Sequence, residues 1–163
     1  MEERLALAPG SASVHYEQSR PGGLVDHSLR TFLLFRDLLR LHELEFPLCS
    51  VIITSLFHDI GKLGTPEHEL FIPETDAWRR NRYGLYTMSP DLPHMPMPQR
   101  SLWLLQHFGV ALTLDEFQLI ATVDGPYDEA NRRQAGNETM LQLVFHHAEL
   151  MASRCGKLTL SAR

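Results

Sequence analysis

A histidine and a carboxylate stand side by side at the end of an apolar segment. The segment runs through Val51, Ile53 and Phe57 into His58-Asp59. A buried charge must be paired or bind a metal, so this pair could grip an ion lying over a helix end. Taken alone, the dipeptide favours a core histidine beside a residue that ends the helix, and the metal site is the alternative.

Three further side chains could act with this pair. Lys62 offers a mobile positive charge that suits binding of a phosphate oxygen beside the proposed ion. The alternative is a solvated lysine near a helix C-terminus. His27 follows two glycines at one edge of an apolar helix face, so it is either a core histidine or points into a site at the helix start. Glu149 and His146 share one face of a helix. An unpaired carboxylate among apolar neighbours is costly, so Glu149 needs a metal or an arginine unless it lies on the polar side.

Apolar residues recur with helical spacing in five segments, which predict the elements that position these residues. The helices are expected to begin after Pro21-Gly22-Gly23, at Phe46-Pro47, near Pro98, at a capping box of Thr113 and Glu116, and at Asn137-Glu138. The pattern predicts an all-α bundle of about five core helices. The whole chain, 1–163, is expected to be a single domain in which residues 1–20 form an N-terminal arm.

The proline-rich segment 65–98 is predicted to be an irregular loop or lid. Short helical turns are expected at 66–70 and 75–80, and a small β-hairpin near 83–87. The segment carries a basic cluster formed by Arg79, Arg80 and Arg82. This cluster is either a solvated face or, if the segment folds over His58-Asp59, a group that binds phosphate.

Composition narrows the classes of partner. The net charge of −5 argues against broad electrostatic binding of a long nucleic acid, although it allows a local pocket for one phosphate. Two cysteines and no basic-then-apolar leader at the start predict a cytoplasmic protein. No apolar stretch approaches the length of a membrane span, so no membrane partner is expected.

Two motifs, in order on two predicted helices, carry a resemblance to a known family. Residues 22–29, Gly-Gly-Leu-Val-Asp-His-Ser-Leu, followed by residues 56–62, Leu-Phe-His-Asp-Ile-Gly-Lys, resemble the HD-domain superfamily of metal-dependent phosphohydrolases. Residues 8–16 are similar to the lead-in of small bacterial and phage HD proteins, and the HD part of certain 3′-to-5′ exoribonucleases is similar too. The resemblance implies that His27, His58 and Asp59 are metal ligands.

The second half of the chain resembles the small phage-type HD proteins in residues 100–105, 124–131 and 143–153. It implies that Glu149 is the last ligand, at a position where the family normally has aspartate. Val123 stands where many relatives have a histidine. Met97 stands where some relatives have one, and His94 lies three residues earlier. These departures imply one metal ion rather than two.

The resemblance also implies a reaction and its participants. Two imidazoles and two carboxylates suit Mn, Fe, Co, Ni or Zn better than Ca or Mg. Asp59 would orient a water as well as ligate, and Lys62 would neutralise charge on the phosphate. Further candidates for substrate binding are Arg20, Arg79, Arg80, Arg82, Tyr127 and Asn131, and additional site candidates are His15, His94 and His146.

These residues predict a phosphohydrolase that acts on a small phosphorylated substrate, preferably a nucleotide. The acidic balance favours a small nucleotide over a polymer, so an exoribonuclease-like phosphodiesterase is the second alternative. An alternative of another class is a degenerate HD domain that only binds a nucleotide or a protein. The sequence leaves open whether the protein forms a homodimer.

Overall fold

The computed structural model describes residues 1–16, 18–126 and 128–154. Within these ranges the chain forms seven α-helices, two 3-10 helices and one two-stranded sheet. The α-helices are Glu2–Leu7 (α1), Gly23–Leu41 (α2), Leu48–Phe57 (α3), Ala77–Tyr83 (α4), Met97–His107 (α5), Leu114–Ala121 (α6) and Met140–Arg154 (α7). The 3-10 helices are Ile60–Leu63 and Glu129–Gln134, and the strands are Phe71–Pro73 (β1) and Tyr86–Met88 (β2). The predicted all-α fold with a small β element is confirmed.

The main core lies where α2 packs against α7 and α3. Phe35 of α2 is fully buried, and its ring meets that of Phe145 in an edge-to-face contact with centroids 4.9 Å apart. Such contacts add to the free energy gained from apolar burial. The remaining buried members of this core come from α2, α3, α6, α7 and the turn after α6: Leu39, Val51, Leu119, Val123, Val144 and Ala148. Helix α5 packs against α6, so five helices, α2, α3, α5, α6 and α7, form the bundle.

The first 3-10 helix packs closely against α5. The amide N–H of Gly61 donates to the hydroxyl of Ser101 at 2.9 Å. A Cβ on Gly61 would lie only 2.8 Å from the backbone nitrogen of Ser101 and 2.9 Å from the carbonyl oxygen of Met97. Glycine at this position therefore allows the close approach, which holds the residues around it in place.

The segment 65–98 contains more regular structure than its prolines suggest. The small β-hairpin expected near 83–87 is present as a two-stranded sheet, but only β2 lies near those residues. Its antiparallel partner is β1, with Ile72 opposite Thr87. Helix α4 connects the two strands, and the side chain of Asp76 caps it by accepting from the Arg79 N–H. The turn expected at 75–80 is therefore part of α4. The helical turn expected at 66–70 is wrong, because no helix is assigned to those residues.

Helix boundaries follow the capping residues. The capping box of Thr113 and Glu116 is confirmed by both of its hydrogen bonds. The last helix begins at Met140 rather than at Asn137-Glu138. Thr139 and Gln142 exchange bonds between side chain and backbone there, so the capping pair lies two residues later than predicted. Among the described residues, none of the helices has the length and apolar character needed to cross a membrane.

Candidate metal centre

Three buried ligand groups converge where α2 meets the end of α3. One ligand atom from each of His27, His58 and Asp59 lies within 4.8 Å of the others, and this group could hold a metal ion. Nε2 of His27 lies 3.2 Å from Nε2 of His58 and 3.4 Å from Oδ2 of Asp59. Nε2 of His58 lies 3.6 Å from the same Oδ2. The structure therefore brings together the three ligands that the sequence predicts.

The orientation of His58 is fixed by α3 itself. Its Nδ1 lies 2.9 Å from the carbonyl oxygen of Ser55, which can only accept a hydrogen bond. A neutral His58 must therefore carry its proton on Nδ1 and present the lone pair of Nε2 to His27 and Asp59. Hydrogen bonds of this kind hold the tautomer of histidines that bind metals. The His58 ring also packs edge-on against Phe145, with centroids 5.7 Å apart.

Burial and neighbouring charges set the protonation states of the other two groups. Burial lowers the pKa of His27 to about 3, so this imidazole is neutral at pH 7 and its contact with Asp59 is not an ion pair. Burial alone would raise the pKa of Asp59, but Lys62, His58 and His27 outweigh it and hold the pKa below its usual range. Asp59 is therefore ionised, and the group offers a carboxylate beside two nitrogen donors.

Lys62 supplies the positive charge next to Asp59. Its Nζ lies 2.5 Å from Oδ2 of Asp59, three residues earlier in the chain. The first 3-10 helix, which begins after Asp59, brings the two side chains together. Because the Lys62 side chain is partly exposed, its ammonium can also reach an anion in the adjoining cavity.

Glu149 of α7 approaches the cluster from the other side. Its Oε1 lies 3.7 Å from Nε2 of His27, and the Ser153 hydroxyl donates to the same oxygen at 2.6 Å. The side chain is 19% exposed, so Glu149 lies at the edge of the site rather than on the polar side of the helix. The structure therefore places the fourth predicted ligand beside the three-residue group.

These distances fit a single metal ion. Two ligands bound at about 2.1 Å to the same ion lie about 3.0 to 3.4 Å apart in octahedral or tetrahedral geometry. The observed separations of 3.2, 3.4 and 3.6 Å within the group need only small adjustments to match. The four candidate ligands together offer two imidazole nitrogens and two carboxylates, and the tautomer of one imidazole, that of His58, is fixed.

Asp124, one of the residues that carry the resemblance, also belongs to this region. Burial, followed by the charges of Asp59, Glu149 and Asp128, raises the pKa of Asp124 to about 6. These influences place Asp124 in the electric field of the candidate centre. The signal that could have found it is its position just after α6, within the segment 124–131.

His146 holds the loop that carries Asp124. Its Nδ1 donates to the carbonyl oxygen of Val123 at 2.8 Å, and a Cβ on Gly125 would lie 2.2 Å from the ring. The Asn131 side chain donates to the carbonyl oxygen of Gly125 at 3.0 Å. His146 precedes Glu149 by one helical turn, so α7 fixes the Asp124 loop beside the Glu149 carboxylate.

A cavity of about 400 Å³ opens onto the candidate centre. His27, Lys62 and Glu149 line this cavity, and its other residues form a polar wall and an apolar wall. One wall is polar and comes from the N-terminal arm, with Ser11, Ser13 and Tyr16 among its residues. The other is apolar and includes Phe71, Met88 and Met97. The cavity combines donors, a cation and apolar surface, as small-molecule sites do.

The predicted phosphate-binding arginines lie elsewhere. Arg20 pairs with Asp26, and Arg79 with Glu74 at 3.1 Å. The guanidinium of Arg82 lies 5.9 Å from the centroid of the Trp78 ring. Arg80 is exposed on α4. Of the described residues, those that line the cavity at the centre do not include these four arginines.

The remaining candidates fall into three groups. His15 and His94 are exposed and are not among the described residues that line the cavity. Asn131 and His146 are buried and hold the loop at 123–125 rather than joining the metal group. Tyr127 lies outside the described residues. Val123 is a core residue that is 3% exposed.

The chain was also compared with known proteins. No protein-family model, no curated protein and no solved structure matches it.

Proposed function

We propose that this chain is a metal-dependent phosphohydrolase of the HD type that acts on a nucleotide or a nucleotide-derived phosphoester. The observation that carries the proposal is the convergence of His27, His58, Asp59 and Glu149 at a cavity that Lys62 also lines. A purely structural histidine cluster would not need two imidazole nitrogens and two carboxylates gathered around one point. The motifs around His27 and His58-Asp59 support the same family.

The mixed nitrogen and oxygen donors favour Mn, Fe, Co, Ni or Zn. A divalent ion of this type would supply Lewis acidity and an activated water at the site. His27 and His58 would hold it with neutral imidazoles, and Asp59 and Glu149 would balance its charge. One ion fits the retained set, because Val123 and Met97 offer no nitrogen donor at the positions where relatives have histidines.

The other residues position the substrate. Lys62 would exchange its bond to Asp59 for a phosphate oxygen and so neutralise charge that develops there. Asp59 would keep one carboxylate oxygen for orienting the attacking water. The serine hydroxyls of the N-terminal arm and the apolar wall at Phe71 would bind the organic part of the substrate.

Metal content and hydrolysis of phosphoesters together test this function. The purified protein is expected to contain about one transition-metal ion per chain and, with added Mn²⁺, to hydrolyse at least one member of a panel of nucleotides and nucleotide esters. Asp59→Ala should reduce turnover by more than about 100-fold, since changes that only touch a ligand's partner cost about 10- to 100-fold. Asp91→Asn, on an exposed residue of the middle segment, is the matched control. Bound metal without turnover of any phosphoester would contradict the proposal and favour a binding role.

A further inference from the structure

A second cavity lies beside the one that opens onto the candidate centre. It has a volume of about 520 Å³ and is formed by α1, the first 3-10 helix and the two strands. Lys62 and Phe71 line both cavities. The two spaces are therefore neighbours, and these two side chains stand at their boundary.

The sizes of the two cavities bear on the substrate. Sites for a single small ligand have volumes of about 300 to 1,000 Å³, so the cavity of about 400 Å³ at the centre already accommodates one compact group. A phosphate monoester has only one organic substituent, so it would leave the neighbouring cavity of about 520 Å³ without a role. A phosphate held at Lys62 has space on both sides, which a phosphate with two substituents would fill.

The walls of the second cavity are mostly apolar and partly flat. Phe71 and Tyr86 contribute aromatic side chains, and prolines and leucines supply half of the rest: Pro9, Pro21, Pro73, Leu7, Leu63 and Leu70. Aromatic side chains stack on any nucleobase because every base has a π-face. These walls suit a nucleoside or a similar ring system.

The charges of the second cavity argue against a further phosphate in it. The carboxylates of Glu3 and Glu69 both line this space. Its arginine, Arg4, donates to the carbonyl oxygen of Thr65 at 2.6 Å and lies 3.4 Å from Glu69, so its charge is already engaged. An additional phosphate would meet two carboxylates, whereas an uncharged group would not be repelled. Lys62 at the boundary remains the cation for a single phosphate.

From these observations we propose that the substrate is a small phosphodiester, with the phosphate at Lys62, one substituent in each cavity and an uncharged ring system in the second. This inference rests on the proposed phosphohydrolase function. In the reaction, water oxygen forms a bond to phosphorus while the P–O bond to one substituent breaks. One proton of the water goes to the leaving alkoxide, which departs as an alcohol, and the other substituent stays on a phosphate monoester.

Two chromogenic esters test the inference with the full chain and added Mn²⁺. They are p-nitrophenyl phosphate, a monoester, and the p-nitrophenyl ester of thymidine 5′-phosphate, a diester. The readout is the ratio of kcat/KM for the diester to kcat/KM for the monoester. We expect a ratio above about 10 for the unmodified protein, because only the diester can use both cavities.

Two substitutions in the second cavity should lower this ratio at least about tenfold. Leu7→Trp fills the space from an exposed position on α1, where a larger side chain is tolerated, and Tyr86→Ala removes an aromatic wall. Tyr83→Ala makes the same chemical change on α4, away from the described residues that line either cavity, and should leave the ratio within about twofold.

The outcomes separate this inference from the function on which it rests. Turnover of the monoester in preference to the diester, or a ratio that neither Leu7→Trp nor Tyr86→Ala changes, would overturn the diester assignment and leave the phosphohydrolase intact. No turnover of either ester or of any other nucleotide phosphoester with Mn, Fe, Co, Ni or Zn would overturn both. A ratio that falls in the two cavity variants and not in Tyr83→Ala would support the inference.

Discussion

Nε2 of His27 and Nε2 of His58 face each other at 3.2 Å in the interior of the protein. Because the Ser55 carbonyl holds the proton of a neutral His58 on Nδ1, the lone pair of the His58 Nε2 points at its neighbour. In the metal-free protein His27 can satisfy that lone pair with its own Nε2–H. With an ion bound, both nitrogens would turn their lone pairs towards it, so metal binding competes with this hydrogen bond.

His58→Ala should abolish stoichiometric metal binding. The substitution removes one nitrogen donor and leaves too few ligands to hold a first-row ion tightly. His147→Ala is the matched control, because His147 is an exposed histidine that lies two residues from Glu149 on α7. Metal content after dialysis, measured by elemental analysis, should fall in the first variant and stay unchanged in the second. Equal metal content in both would contradict the site.

Glu149→Gln should lower metal affinity by at least about tenfold, whereas Glu149→Asp should retain it. Glutamine keeps the shape of the side chain but removes the charge beside His27, whose Nε2 is 3.7 Å away. Aspartate keeps the charge and is the residue that the resemblance leads one to expect. Isothermal titration calorimetry with Mn²⁺ or Zn²⁺ measures the metal affinity of both variants. Ser153→Ala, which removes the 2.6 Å bond to Oε1, should give a smaller loss through orientation alone. An unchanged affinity in Glu149→Gln would remove Glu149 from the ligand set.

Gly125→Ala should destabilise the protein more than Gly109→Ala, by about 1 to 3 kcal/mol. Both glycines have a positive φ, 71° at Gly125 and 73° at Gly109, so alanine meets the same backbone strain at each. A Cβ at Gly109 has nothing within 4 Å, whereas one at Gly125 lies 2.2 Å from the His146 ring. The difference in the free energy of unfolding, measured by urea denaturation, therefore reports the packing of His146 on the loop.

A double variant checks that explanation. If the clash with the His146 ring is the cause, His146→Ala should relieve part of the excess cost of Gly125→Ala, and the two changes should not be additive. Additive effects would place the cost of Gly125→Ala elsewhere.

Local sequence patterns were sufficient to predict most helices of the bundle. The glycine pair at the start of α2, the apolar run of α3 and the capping box of Thr113 each indicate a helix through residues close together in the chain, so the sequence shows them directly. The start of α7 was misplaced, because Asn137 and Thr139 are both good capping residues and only the bonds between Thr139 and Gln142 decide between them. Strand β1 was missed because its partner β2 lies beyond α4, and pairing across that distance leaves no local pattern.

The convergence of His27, His58 and Asp59 could be predicted because their motifs are short and specific, whereas the surroundings of the site depend on tertiary packing. Arg79 was a reasonable phosphate ligand by charge, but in the fold it pairs with Glu74. His146 and Asn131 looked like site residues, and both are used to hold the loop at Val123–Gly125. The second cavity joins α1 to residues more than sixty positions away, so no window of the sequence could reveal it.

The pKa of Asp124 predicts how the metal-free protein responds to pH. Its folded pKa of about 6 lies above the ordinary value of 3.8, so the folded state holds this proton more tightly than the unfolded state does. Stability is therefore lost as pH rises from about 4 through 6, and above that range the ionised Asp124 works against folding. Asp124→Asn should remove this cost and stabilise the metal-free protein at pH 7.5 but not at pH 4.

The size of this effect is limited because Asp124 is exposed enough for solvent to screen its charge. We expect a gain of at most about 1 kcal/mol, which corresponds to a rise in Tm of about 2 to 4 °C for a chain of this length. Thermal melts in EDTA at the two pH values, with Asp91→Asn as the control, measure it. An equal shift at both pH values would mean that the gain does not come from the charges of Asp59 and Glu149. Added metal should cancel the gain, since a cation at the centre compensates the same carboxylates and removes the repulsion that Asp124 experiences.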